Sequence, residues 1–137
     1  MRKISFHNIL LMLLLGCFTF SIQEASAQTQ EEEPVFEIAE IMPFFKGGDP
    51  AMKAYLSSKT EYPEIAKKKK IEGRVIVKFI VEKDGSLTDV HVVKSVDPSL
   101  DEEAVRVVRS MPKWTPGKRL NGKPVRVQYL LPVTFKL

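Results

Sequence analysis

Cysteine is all but missing: Cys17 is the only one in 137 residues. A chain cleaved behind it has no disulfide and no thiolate for a metal, so its core must hold without staples. Histidine is nearly as scarce, with His7 in the first segment and His91 after it. Neither a histidine pair nor a histidine-based metal centre can then be assembled, and His91 is expected at the surface. The chain has no phosphate-cradling glycine loop, no H-E-x-x-H pattern and no nucleophile elbow. Glu102 and Glu103 are adjacent, so they project to different helix faces and cannot form a paired-carboxylate centre. Neither an enzyme nor a cofactor is expected.

Only one apolar run is long, from Ile9 to Phe20, and it follows Met1-Arg2-Lys3 and precedes Ala25-Ser26-Ala27. It falls short of the ~20 residues of a spanning helix. Residues 1–27 therefore read as a signal peptide cleaved after Ala27. Leu14-Leu15-Gly16-Cys17 supports a second reading, a lipobox that would lipidate Cys17. An exported chain is not expected to meet nucleic acid.

Acidic residues are absent from the whole C-terminal stretch after Glu103, although Glu31, Glu32, Glu33, Glu37 and Glu40 crowd the other end of a chain of net charge +4. The basic half suits an acidic envelope partner, or is simply a solvated surface. Lys67 to Lys70 pose the same choice, anionic lipid or polymer against a solvated helix face.

Residues 28–43 are polar and acidic without periodic apolar positions, and are expected to form a flexible leader ahead of one domain from Phe44 to Leu137. Asp49-Pro50 reads as a helix start with Asp49 as cap, and Met52, Tyr55 and Leu56 share a face. A short helical stretch follows Tyr62-Pro63. From Arg74 to Glu82 the pattern alternates, with Val75, Val77, Phe79 and Val81 on one face of a strand. Asp84-Gly85 supplies a hairpin turn, and Leu87 to Ser95 returns with Val90 and Val92 inward.

Ser99-Leu100-Asp101-Glu102 reads as a capping box opening a helix whose apolar stripe is Leu100, Ala104, Val108 and Met111. Pro112 ends it. Trp114 is expected in the core, and Gly85 and Gly117 as backbone requirements. Val125 to Leu137 forms the last strand, and Pro132, with no N–H to donate, marks it as an edge, or bulged there, and not a central strand. The fold class is α+β, a two-layer sandwich of a three-stranded antiparallel sheet packed against helices.

In this order, Tyr62-Pro63 with Ala66, Ile71-Glu72-Gly73-Arg74-Val75, Asp84-Gly85, Ser99-Leu100-Asp101 with Ala104, and Trp114-Thr115-Pro116-Gly117 before an aromatic strand resemble the TonB C-terminal domain family. The resemblance spans Phe44 to Leu137. It implies a periplasmic module that grips the TonB-box peptide of an outer-membrane transporter or receptor by strand addition. The work relayed comes from inner-membrane proton channel components, reached indirectly.

It further implies that the peptide adds along Val125, Arg126, Val127, Gln128, Tyr129, Leu130 and Leu131. Tyr62 and Pro63 then lie near it, or serve as a packing and entry-angle device. An exposed edge also permits a homodimer. Two departures from the full-length transducer are expected, the missing spanning helix and the missing Pro-rich spacer, and both put energy transduction by this chain alone in doubt. The competing reading is a structural envelope protein or lipoprotein that holds peptidoglycan or another envelope component through its basic surface.

Overall fold

Alternation along the hairpin is the strongest feature of the sequence, and the computed structural model, which describes residues 33–137, builds its sheet around it. The expected signal peptide and Cys17 lie outside the described residues. After β1 (Val35–Phe36) come α1 (Gly48–Lys59), α2 (Glu64–Lys68), β2 (Gly73–Val81), β3 (Leu87–Lys94), α3 (Pro98–Arg109), β4 (Gly117–Lys118) and β5 (Pro124–Phe135). Val75, Val77, Phe79 and Val81 of β2 are all fully buried, as a strand with one face on a helical layer requires. Met52 of α1, Ala66 of α2, and Leu100, Ala104, Val107 and Val108 of α3 join them in one core with Leu131, Val133 and Phe135 of β5.

The sheet runs β1-β5-β2-β3, with β4 also on β5. It thus has five strands where three were expected, within the same α+β class. The two additional strands span two residues each, too short to leave any periodicity in the sequence. β5 is antiparallel to β2 through an unbroken register from Gly73↔Phe135 to Val81↔Val127. β1 lies parallel to β5 on its other side, with Val35↔Arg126 and Phe36↔Val127.

Ordered structure therefore begins ahead of Phe44: the compact unit is Pro34–Leu137. Ile41 and Lys118 exchange backbone hydrogen bonds of 2.9 and 2.8 Å, and Phe44 and Thr115 exchange bonds of 3.1 and 2.9 Å. Ala39 and Phe45 are buried in consequence.

Both helix starts differ from expectation. The cap of α3 is Asp97, whose carboxylate accepts from the Ser99 N–H at 3.1 Å, with Pro98 opening the helix. Proline at the first helical position needs no N–H acceptor, so Asp97-Pro98 outcompetes the box that begins at Ser99. Asp101 instead accepts from the Ser95 hydroxyl and, at 3.1 Å, from the Val96 N–H, fixing the end of β3 to the helix. At α1 no side chain caps the helix. Gly47 and Gly48, with φ of 94° and 81°, carry the chain into it, and Asp49 falls inside the first turn.

Candidate functional site

Pro132 sits opposite Ile76 in an unbroken ladder, and having no N–H it must turn its backbone away from β2. Alternation then assigns the rest of β5. Val127, Tyr129, Leu131 and Val133 point their backbone groups at β2, whereas Arg126, Gln128, Leu130, Pro132 and Thr134 point theirs outward. β1 covers the outward side at Arg126 and Val127, while β4 pairs with Pro124 and Val125 on the side that β2 occupies farther along. Among the described residues no strand pairs with β5 on the outward side beyond Val127. The open edge is thus the C-terminal two-thirds of β5. Val125, Arg126 and Val127, expected to be part of the edge, already lie beside strands of the chain itself.

The far edge of the sheet is a poor alternative. The β2–β3 register slips between Ile76 and Val77 and again between Lys78 and Ile80, and Asp89 in β3 has a φ of 51°. Such bulges twist an edge out of the regular spacing that an added strand needs.

Beside the open end of β5 runs a groove of about 630 Å³ lined by Lys53, Leu56, Ser57 and Thr60, by Tyr62 and Arg74, and by residues 132–136. Tyr62 anchors this end. Its hydroxyl donates to the Ile71 carbonyl, and its ring stands perpendicular to that of Phe135 at 5.7 Å. Burial, with a smaller contribution from the charge of Glu72, raises its phenol pKa. Tyr62 thus packs against β5, as a packing device would, and also lines the groove. Pro63, extended at φ −60°, directs the chain into α2.

Behind Tyr62, the Glu103 carboxylate accepts from Arg106 Nε at 2.5 Å and Nη2 at 2.7 Å, and Arg106 also donates to the Lys59 carbonyl at 2.9 Å. Burial pushes the Glu103 pKa up, but these bonds and one from the Glu61 N–H together carry it below the ordinary range.

The core face of β5 is fixed from below by aromatic rings. Trp114, 2% exposed, meets Tyr129 at 4.9 Å, Phe79 at 5.3 Å and Phe45 at 6.1 Å. Tyr129 has a raised pKa, first through burial and then through Asp49. The backbone N–H of Trp114 donates to the Gly85 carbonyl at 2.8 Å, and a Cβ on Gly85 would lie 2.0 Å from the Trp114 backbone oxygen. Gly117 is confined too, though less tightly, because a Cβ there would lie 2.7 Å from Val127 Cγ2. Arg126 donates to Glu82 at 2.6 and 3.2 Å, which ties the start of β5 to the hairpin and lowers the Glu82 pKa.

The structure thus brings Tyr62 and Pro132 to one end of β5 and leaves Gln128 and Leu130 on the open edge. Lys53, Leu56, Ser57, Arg74 and Thr134 were missed from the sequence. Thr134 was within reach, since alternation from Pro132 gives its direction. The α1 residues carry no comparable signal, because a polar helix face reads as plain solvent surface.

Among the described residues no helix is long and apolar enough to cross a membrane. A family model described as the Gram-negative bacterial TonB protein C-terminal matches residues 58–137. Protein TonB of Helicobacter pylori is 36% identical over 84 residues, which are 60% of this chain and 27% of that protein. Protein TonB of Pseudomonas aeruginosa is 38% identical over 61 residues, 44% of this chain and 17% of that protein. The match thus spans well under a third of either relative. An NMR solution structure of the Helicobacter pylori TonB C-terminal domain aligns with a TM-score of 0.49 and 30% identity, over 63% of this chain and 77% of that one.

Proposed function

The chain belongs to the TonB C-terminal family, and from that premise we propose that it is a periplasmic binding module for TonB-dependent transport. It engages the N-terminal peptide of an outer-membrane transporter or receptor by adding that peptide as a strand to the open edge of β5. The observation that carries this reading is the outward backbone from the Gln128 carbonyl to Thr134, which no strand covers among the described residues. An extended peptide there satisfies those groups and gains ~0.5–1.5 kcal/mol net for each hydrogen bond. Three or four such bonds make a weak, reversible grip, which suits a relay that must release its partner.

The contact surface on this reading is Gln128, Leu130, Pro132 and Thr134, with Tyr62 and Pro63 at its end. Leu131 and Tyr129 hold the strand in place through β2 and the core. Val125, Arg126 and Val127 contribute by seating β1 and β4.

Leu130→Pro tests the proposal. It removes an outward N–H without touching the β2 ladder, so the domain should fold while losing a TonB-box peptide titrated against the isotope-labelled protein. Undiminished binding to folded Leu130→Pro would rule out strand addition at this edge. With an uncharged peptide, salt separates the proposal from a polyanion-holding role, because backbone pairing alone changes little with ionic strength.

A further inference from the structure

Three cations border the open end of β5, each from a different element: Lys53 in α1, Arg74 in β2 and Lys136 just past β5. No carboxylate lines the same groove. The hydroxyl-bearing residues Ser57, Thr60 and Thr134 and the apolar Leu56, Pro132, Val133 and Phe135 make up most of the rest. Glu61, between the lining residues Thr60 and Tyr62, belongs to a separate groove with Glu102 and Glu103. Glu72 accepts from the Leu137 N–H at 2.7 Å, and Asp49 acts on Tyr129, farther back along β5. Elsewhere, at Glu82–Arg126, Glu103–Arg106 and Glu64–Lys67, cations of this domain are matched by carboxylates.

We propose that this groove selects an extended partner segment carrying acidic side chains, set so that they lie beside Thr134 and Lys136 when the segment pairs with β5. The proposal rests on strand addition at β5 and supplies what strand addition alone lacks. Backbone hydrogen bonds are the same for every sequence, so a strand edge by itself cannot discriminate between peptides. Three cations at one end of the edge can. They favour carboxylates there and disfavour lysine or arginine, and because they occupy only one end they also set the register of the added strand. Leu130 and Pro132, both exposed, leave room for apolar side chains on the segment before its acidic end.

The test uses the ¹⁵N-labelled protein and three synthetic peptides with one Val/Thr-alternating core, ending in two glutamates, two glutamines or two lysines. At low salt the glutamate peptide should bind roughly five-fold more tightly than the glutamine peptide, and the lysine peptide more weakly than either. The preference should shrink toward unity at high salt. It should also disappear in the triple variant Lys53→Gln, Arg74→Gln, Lys136→Gln, which keeps the amide spectrum of the folded parent. Shifts should concentrate on the amides of Leu130, Thr134 and Lys136.

Equal binding of all three peptides with shifts along β5 would overturn the acidic preference and leave strand addition standing. Shifts confined to another surface, or no binding at all, would overturn both. A glutamate preference that survives in the triple variant would assign it to other residues and so defeat the proposal.

Discussion

The Glu103 carboxylate accepts a hydrogen bond from the backbone N–H of Glu61 at 2.5 Å, so the middle of α3 holds the loop that delivers Tyr62 to the end of β5. Glu103 is the only charged residue among the buried ones described. It is tolerated because Arg106 and Glu61 supply donors to both of its oxygens. A small electrostatic clip thereby fixes one wall of the groove beside β5.

Glu103→Gln should lower stability by about 1–3 kcal/mol, since it weakens a charge-assisted network whose partners remain. The pH dependence follows from the depressed carboxyl. Its stabilisation is complete above the ordinary value of 4.5 and fades as pH falls through the lower folded value. Parent and variant should accordingly converge in acid. Thermal melts of both proteins at several pH values check this, and a constant gap down to strong acid would contradict it.

Val77→Asp should unfold the domain. Val77 is completely buried in the central β2, and an unpaired carboxylate there costs several kcal/mol from a total of ~5–15. A circular dichroism melt resembling that of the parent would show that the core is not where β2 places it.

Gly85→Ala should destabilise by more than about 2 kcal/mol. Gly85 has a φ of +87° and its missing Cβ is replaced by the Trp114 carbonyl, so the variant combines backbone strain with a clash. Gly122→Ala is the control. It also has a positive φ, of +82°, but open space around it, so its loss should be limited to strain. Equal denaturation midpoints for the two variants would remove the role of the Trp114 contact.

Val127→Pro and Gln128→Pro should part ways. Val127 turns its N–H toward β2, so proline there should cost ~3 kcal/mol or more and abolish the fold. Gln128 turns outward beside β1, so its variant should fold with a loss of about 1 kcal/mol. In that variant the amides of residues 35–37 should lose protection from hydrogen exchange. If Val127→Pro folds and Gln128→Pro does not, the strand parity is reversed.

The hairpin, the amphipathic α3 and the interior position of Trp114 were all legible from the sequence. Each rests on a period or a large side chain that a reader can weigh locally. The caps of α1 and α3 were not, because at both sites two neighbouring starts compete within a few residues. At α3 proline tips the balance to Asp97.

The site was half legible. Pro132 marked the side of β5 that β2 leaves free, but β5 is not an edge strand along its whole length: the sequence could not show that Val35 and Phe36, some ninety positions earlier, occupy part of that side. Two-residue pairings across that separation leave no trace in composition. Nor could it show that α1 would set Lys53 beside Arg74 and Lys136, because their proximity depends entirely on how the helix lies against the strand.

The position of β5 in the sheet has a consequence for how the chain reaches its native state. The last of the described strands in sequence sits inside the sheet, between β1 and β2. Until residues 124–135 are available, β2 lacks one of its two neighbours, Tyr129 cannot cover Trp114, and β1 has nothing to pair with. Closing the sheet requires joining segments far apart in the chain, which makes acquisition of the fold slow and strongly cooperative. A chain threaded through a membrane from its N-terminus would thus stay open until its final residues emerged, and could cross as an extended polymer without first having to unfold.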